Sequence, residues 1–305
     1  MLFHCTVNSI FTQINLNLND MAKRDNPMKS LKVKVINLVL YPEEAQKTEN
    51  YIEYFRKIFD DKVTINTYGD RYTRIQTYYA LDDGAVIHGV FANAAFFDPK
   101  DPALDSDTNE IVPSGADPKK GLGLKTWEYY FFPKYHRLIF LDKETSGSQI
   151  LDFLQRAFNN YLDTEEYAIN LEKDREVISR ILKSTALSHL KVFVSYSNND
   201  NYRGWKQMID SQLKKGRPKR AVLDLSGSKK IPIDVTQSEM IQGFVELSAS
   251  NGHAEASEIN QNGKIIPVNT QDHPMVKIIE FIESPISAMK HLVKQLAGFE
   301  EESSD

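Results

Sequence analysis

One cysteine in 305 residues, Cys5, excludes a disulfide framework and a cysteine-rich zinc site. No run approaches eighteen apolar residues, so no membrane-spanning helix is expected. The apolar stretch from Val7 to Leu18 is broken by Asn and Gln and has neither a basic start nor a small-residue cleavage site. No secretion signal is read there, and a cytoplasmic location follows as the expectation. Seven histidines are present, none in a His-Glu-x-x-His or comparable metal spacing. Gly121-Leu122-Gly123 and Gly227-Ser228-Lys229-Lys230 lack the strand, Gly-rich loop, Lys and helix of a phosphate loop, and Ser195 and Ser197 lack a glycine-flanked nucleophile elbow. No metal and no cofactor is expected.

What is present is a globular composition: 41% hydrophobic, 10% aromatic and 26% charged, with a net charge of −5. Such a chain is long enough for one large domain or two ordinary ones. Its expected parts are a flexible leader (1–30), a first half (31–165), a second half (166–298) and an acidic tail (299–305).

Lys32 to Leu40 alternates and then turns continuously apolar, as a central strand does. Pro42-Glu43-Glu44 opens a helix with an apolar face through Tyr51, Phe55 and Ile58. Asp82-Asp83-Gly84 and Asn262-Gly263 supply the positive-φ residues of tight hairpins. Residues 98–120, rich in Pro, Asp, Ser and Gly, read as a long mobile loop. Strands at 124–132 and 136–141 and a helix near 148–161 complete the first half. The second half alternates strands and helices up to a closing helix at 285–297. Hairpin turns demand antiparallel pairs, so the expected class is α+β: two halves with mainly antiparallel sheets packed by helices, in split-β-α-β-like layers.

Against the acidic background, Lys214, Lys215, Arg217, Lys219, Arg220, Lys229 and Lys230 place seven cations and one acid, Asp224, within seventeen residues. Phosphate contacts supply most non-specific nucleic-acid affinity, so this run is the candidate nucleic-acid site. Gly216-Arg217-Pro218 also resembles an AT-hook core, in which an extended Arg-Pro backbone lays arginine into a narrow minor groove. A helix C-terminus favours cations through its macrodipole too, so ordinary capping explains part of the run. Aromatics such as Tyr129, Tyr130, Phe131 and Phe132, with Arg71, Arg74, Lys134 and Arg137 nearby, would stack bases if a sheet face were open. A sheet covered on both faces would bury them instead.

Tyr130 to Phe140, Val192 to Asp200, Gly69-Asp70-Arg71, the Asn262-Gly263-Lys264 turn and Asp272-His273-Pro274 together resemble an uncharacterised bacterial family catalogued as a domain of unknown function. Its members are found near mobile elements and phage-defence genes. The likeness spans residue 31 to about 282, although members commonly carry Pro where Asn198 or Asn199 stands. It implies a defence or abortive-infection setting and no catalytic residues.

The functional expectation is a non-enzymatic nucleic-acid-binding protein, with DNA ahead of RNA as partner. Binding five phosphates would give a log–log salt slope of about −4.5 on duplex DNA. Two other classes stay open: a nuclease or toxin-like enzyme using His136 or His273 with distant acids, and an interaction subunit that self-associates or joins a defence-system partner protein. No membrane partner is expected.

Overall fold

Strand β1 (Lys29–Leu40) organises the chain, because both of its faces and both of its edges are used. The computed structural model describes residues 27–142, 147–197 and 200–299. Val33 and Val35 enter one core, while Ile36, Leu38 and Leu40 enter another on the opposite face. Period-two alternation therefore gives way to unbroken apolarity where both faces are dry.

The large sheet runs β14-β1-β8-β7-β4-β3-β2 and is antiparallel throughout. Its other strands are β2 (Thr64–Tyr68), β3 (Arg71–Leu81), β4 (Val86–Ala95), β7 (Leu122–Phe132), β8 (Arg137–Leu141) and β14 (Val276–Phe281). Register shifts at Asn66/Tyr68, Ile75/Thr77 and Asn93/Ala95 are bulges, and they help curl the sheet into a half-barrel. Helices α1 (Thr48–Asp60) and α2 (Gly147–Phe158) cover one face, and α6 (Ile286–Leu296) covers the other. Trp127, Tyr129 and Phe131 point into the first core, Tyr130 and Phe132 into the second. Both faces are closed where these aromatics sit, so they are packing residues and do not form a base-stacking platform.

Two strands share the other edge of β1. Lys29–Lys34 pairs with β14, and Ile36–Leu40 pairs with β9 (Tyr167–Leu171). Both run antiparallel to β1, so they form one broken edge strand, closed by a bridge between Lys173 and Pro274. Residues 174–273 are inserted at the break. The sheet thus crosses the boundary expected between residues 165 and 166, and the two units are nested.

The insert holds a second antiparallel sheet in the order β11-β10-β12-β13: β10 (Leu187–Val194), β11 (Ala221–Ser226), β12 (Gly252–Ile259) and β13 (Ile265–Asn269). Helices α3 (Arg175–Leu182), α4 (Gly204–Gly216) and α5 (Glu239–Asn251) pack on its inner face through Leu190, Val192, Val194, Ala254 and Ala256. No described helix covers the outer face, which carries Phe193, Lys191 and His189 of β10 beside His253, Glu255 and Ser257 of β12.

An α+β class with antiparallel sheets packed by helices is what the hairpin signals predict. Asp82, Asp83 and Gly84 all have positive φ, as does Gly263. Elsewhere the chain departs from expectation. Pro42 opens a single 3-10 turn (Glu43–Ala45), because Lys47 is extended and α1 starts only at Thr48. Residues 98–120 hold a short ribbon, β5 (Pro102–Leu104) with β6 (Ile111–Pro113), where a loop was expected. The Asp105 carboxylate braces its turn by accepting from the backbone of Asp107 and Thr108. Of the expected leader, residues 1–26 lie outside the described residues and Lys29–Ser30 belong to β1; of the expected tail, 300–305 lie outside as well. Among the described residues no helix is long and apolar enough to cross a membrane.

Candidate nucleic-acid interface

The basic run begins at the end of α4. Lys214 points back to Asp210, 3.2 Å away, whose carboxylate also accepts from the Ser197 backbone and hydroxyl. Its charge is spent inside the fold. Arg217 caps α4 in the left-handed region (φ 51°), donating its N–H to the Leu213 carbonyl at 2.8 Å. This corrects the AT-hook resemblance, which requires extended backbone at that arginine. The Arg217 side chain reaches Glu44 at 3.3 Å, and both groups are well exposed, so the pair is a weak tie that a phosphate can replace.

Arg220 sits over the Phe193 ring, 4.2 Å from guanidinium carbon to centroid. Phe193 also stacks on His253, with centroids 4.3 Å apart and planes at 23°. Gly252 lets the β12 backbone run close to β10 here, because a Cβ there would fall 1.8 Å from the Phe193 carbonyl oxygen. Burial lowers the His253 pKa, opposed by Glu255 and assisted by Lys173 and Arg220. A neutral imidazole in this row adds a π-face and no repulsive charge.

Lys229 and Lys230 sit elsewhere. They follow β11, and six residues of strand separate them from Arg220 by about 20 Å. Gly227 bonds to Ser188 at the far end of β10. The seven cations therefore form two groups, with Lys214 turned inward. Lys215, Arg217, Lys219 and Arg220 gather at one end of the second sheet, and Lys229 and Lys230 mark the other. Between them the row Lys191–Asp224–Glu255 places acid on the face, with Asp224 bonded to His189 at 2.8 Å.

A cavity of about 350 Å³ opens beside the cationic end. Asn170, Phe193, Ser195, Lys219, Arg220 and His253 line it, together with Asn251 and Gln271. It therefore offers cations, an aromatic face and amide edges within one concave surface. Sequence reading finds Lys219 and Arg220 but misses Phe193 and His253. Their signal lay in strands β10 and β12, which alternate apolar residues with His, Lys, Phe and Glu and so announce one wet face.

Beneath this cavity a buried polar network joins insert to host. The Arg137 side chain is 0% exposed; it donates to Asn37 (2.6 Å) and Asp200 (2.9 Å), with its Nε 2.8 Å from Glu172 though not aligned for a hydrogen bond. Asn37 donates to Asn251 and the Ser250 carbonyl, Asn251 to Tyr202, Tyr202 to Asp200, and Ser250 to Glu172. Burial disfavours the Arg137 cation, but Asp200 and Glu172 outweigh it and drive its pKa up. Arg137 is thus a structural keystone, unavailable to a ligand. Neighbouring His136 is 3% exposed, and burial holds its pKa down to about 3, so it is neutral. His273 is exposed at the end of a 3-10 turn. Among the described residues no group of three or more His, Cys, Asp and Glu side chains is placed to hold a metal.

Fold and site together define an α+β protein in which a one-sided antiparallel sheet is inserted into the edge of a two-sided one. The chain belongs to the family described as Domain of unknown function (DUF4747), whose model matches residues 29–297 and so takes in both units. No curated protein matches it.

Proposed function

We propose that the chain binds nucleic acid at the cationic end of the inserted sheet, through Lys215, Arg217, Lys219 and Arg220 for phosphates and the Phe193–His253 stack for a base. The observation that carries this reading is the uncovered sheet face with an aromatic stack flanked by those cations and a cavity. An aromatic on an open face favours a single strand, because each unpaired base can stack while duplex bases are already stacked. Lys229 and Lys230 would contribute to a long strand only. A defence setting, implied by the family likeness, and a cytoplasmic location both remain part of this proposal.

Four phosphate contacts on a single strand correspond to a log–log salt slope of about −2.8. Fluorescence anisotropy with single-stranded and duplex oligonucleotides across a salt series tests it. Lys219→Ala with Arg220→Ala should weaken binding at least tenfold and flatten the slope. Undiminished binding by that double variant would overturn the assignment.

A further inference from the structure

A second cavity, of about 280 Å³, lies in the seam where insert meets host. The host contributes Glu172, Lys173 and Leu296, and the insert contributes Arg175, Ser179, Lys206, Glu246 and Ser250 among others. Lys173 is 7% exposed, yet among the described residues its ammonium has no hydrogen bond or ion pair. The nearest acid is already committed: Glu172 has Arg137 at 2.8 Å on one oxygen and the Ser250 hydroxyl at 2.7 Å on the other. Lys206 lies over the Tyr202 ring at 3.7 Å, within the fields of Asp200, Glu172 and Glu246. A buried cation whose one neighbouring acid is bonded elsewhere is costly, and it usually has a partner.

We propose that this seam cavity is a binding site for a phosphate group, free or as a monoester, held by Lys173 with Lys206 and Arg175. A tetrahedral oxyanion can take donors from several directions at once, and the cations here come from two segments, Lys173 and Arg175 from the junction between β9 and α3 and Lys206 from α4. Burial lowers the Lys173 pKa to about 8, opposed by Glu172, which is the behaviour of an ammonium whose burial outweighs its one neighbouring acid. An anion would restore it. The ligand would bridge both units, so this site is independent of the nucleic-acid reading.

Calorimetric titration of the full chain with inorganic phosphate should show saturable uptake. Lys173→Met should weaken it at least tenfold, and Lys173→Arg should retain it within about threefold of the parent, because a guanidinium also binds phosphate oxygens well. Reductive methylation of the unaltered chain supplies a readout that survives if a variant misfolds. Lys173 should be labelled at pH 8 and protected by phosphate, with chloride at equal ionic strength giving no protection. Stronger competition by ribose 5-phosphate or by a 5′-phosphorylated oligonucleotide would name the source of the phosphate, and either result supports the site. No saturable uptake, unchanged affinity in Lys173→Met, labelling indifferent to phosphate, or acetate matching phosphate would each overturn it.

Discussion

The two sheets of this protein treat their aromatic residues in opposite ways. In the large sheet α1 and α2 close one face and α6 closes the other, so Trp127, Tyr129, Phe131 and Phe132 are each at most 1% exposed. In the inserted sheet three helices close one face, and Phe193 stands on the other beside Arg220 and His253. Ring content alone is therefore no guide to a binding surface. A face without a covering layer is what leaves a ring available to a ligand, and in the insert that face sets Phe193 beside a cluster of cations.

The sharpest way to break this comparison is to cut both kinds of residue. Arg137→Met removes the cation from a network holding Glu172 and Asp200, leaving buried carboxylates uncompensated. A loss of about 3–5 kcal/mol in urea unfolding is expected. Phe131→Ala should cost a comparable 3–5 kcal/mol, roughly the toll for truncating a buried phenylalanine. Phe193→Ala should cost under about 1 kcal/mol of stability. Its effect belongs on binding instead, where one lost stack is worth roughly 1–3 kcal/mol. If the two phenylalanine variants showed the same balance of stability and binding loss, the distinction between the sheets would fail.

Acid should discriminate the units as well. His136 is neutral in the fold with a pKa near 3, against about 6.5 in the unfolded chain. The unfolded state therefore binds more protons between those values, so this contribution is complete above pH 6.5 and is lost as pH falls towards 3. The histidine adds up to about 1.4 kcal/mol per pH unit to the slope in that window. His136→Asn suits the left-handed backbone at this position (φ 55°) and should flatten the slope relative to the parent. The smallest expected effect is at the far end of the insert: Lys229→Ala with Lys230→Ala should change affinity for a short oligonucleotide by less than about twofold, since those lysines lie roughly 20 Å from Arg220.

Much of the fold was legible because its signals are local. Asp82-Asp83-Gly84 and Asn262-Gly263 mark hairpins by the φ their turns require, and the apolar run of β1 marks a strand buried on both faces. The nesting was not legible. That β9 and β14 share one edge of β1 depends on pairings between residues more than a hundred positions apart, and a turn signal carries no such information. The site was half legible for a similar reason. Clustered charge in sequence locates Lys219 and Arg220, but the strand between them and Lys229 pulls the run apart. The partner ring His253 arrives from a strand that begins more than thirty residues later, at Gly252. Arg137 shows the reverse error: a basic residue after a turn reads as surface, and only the tertiary network of Asn37, Glu172 and Asp200 explains its complete burial.

Ultraviolet crosslinking of the full chain to a single-stranded thymidine oligonucleotide, with the adducts mapped by mass spectrometry, addresses the open face most directly. Adducts at Phe193 or His253, suppressed by competing single strands, are the predicted result. Adducts confined to exposed rings of the large sheet such as Tyr68 and Tyr79, or none at all, would contradict it.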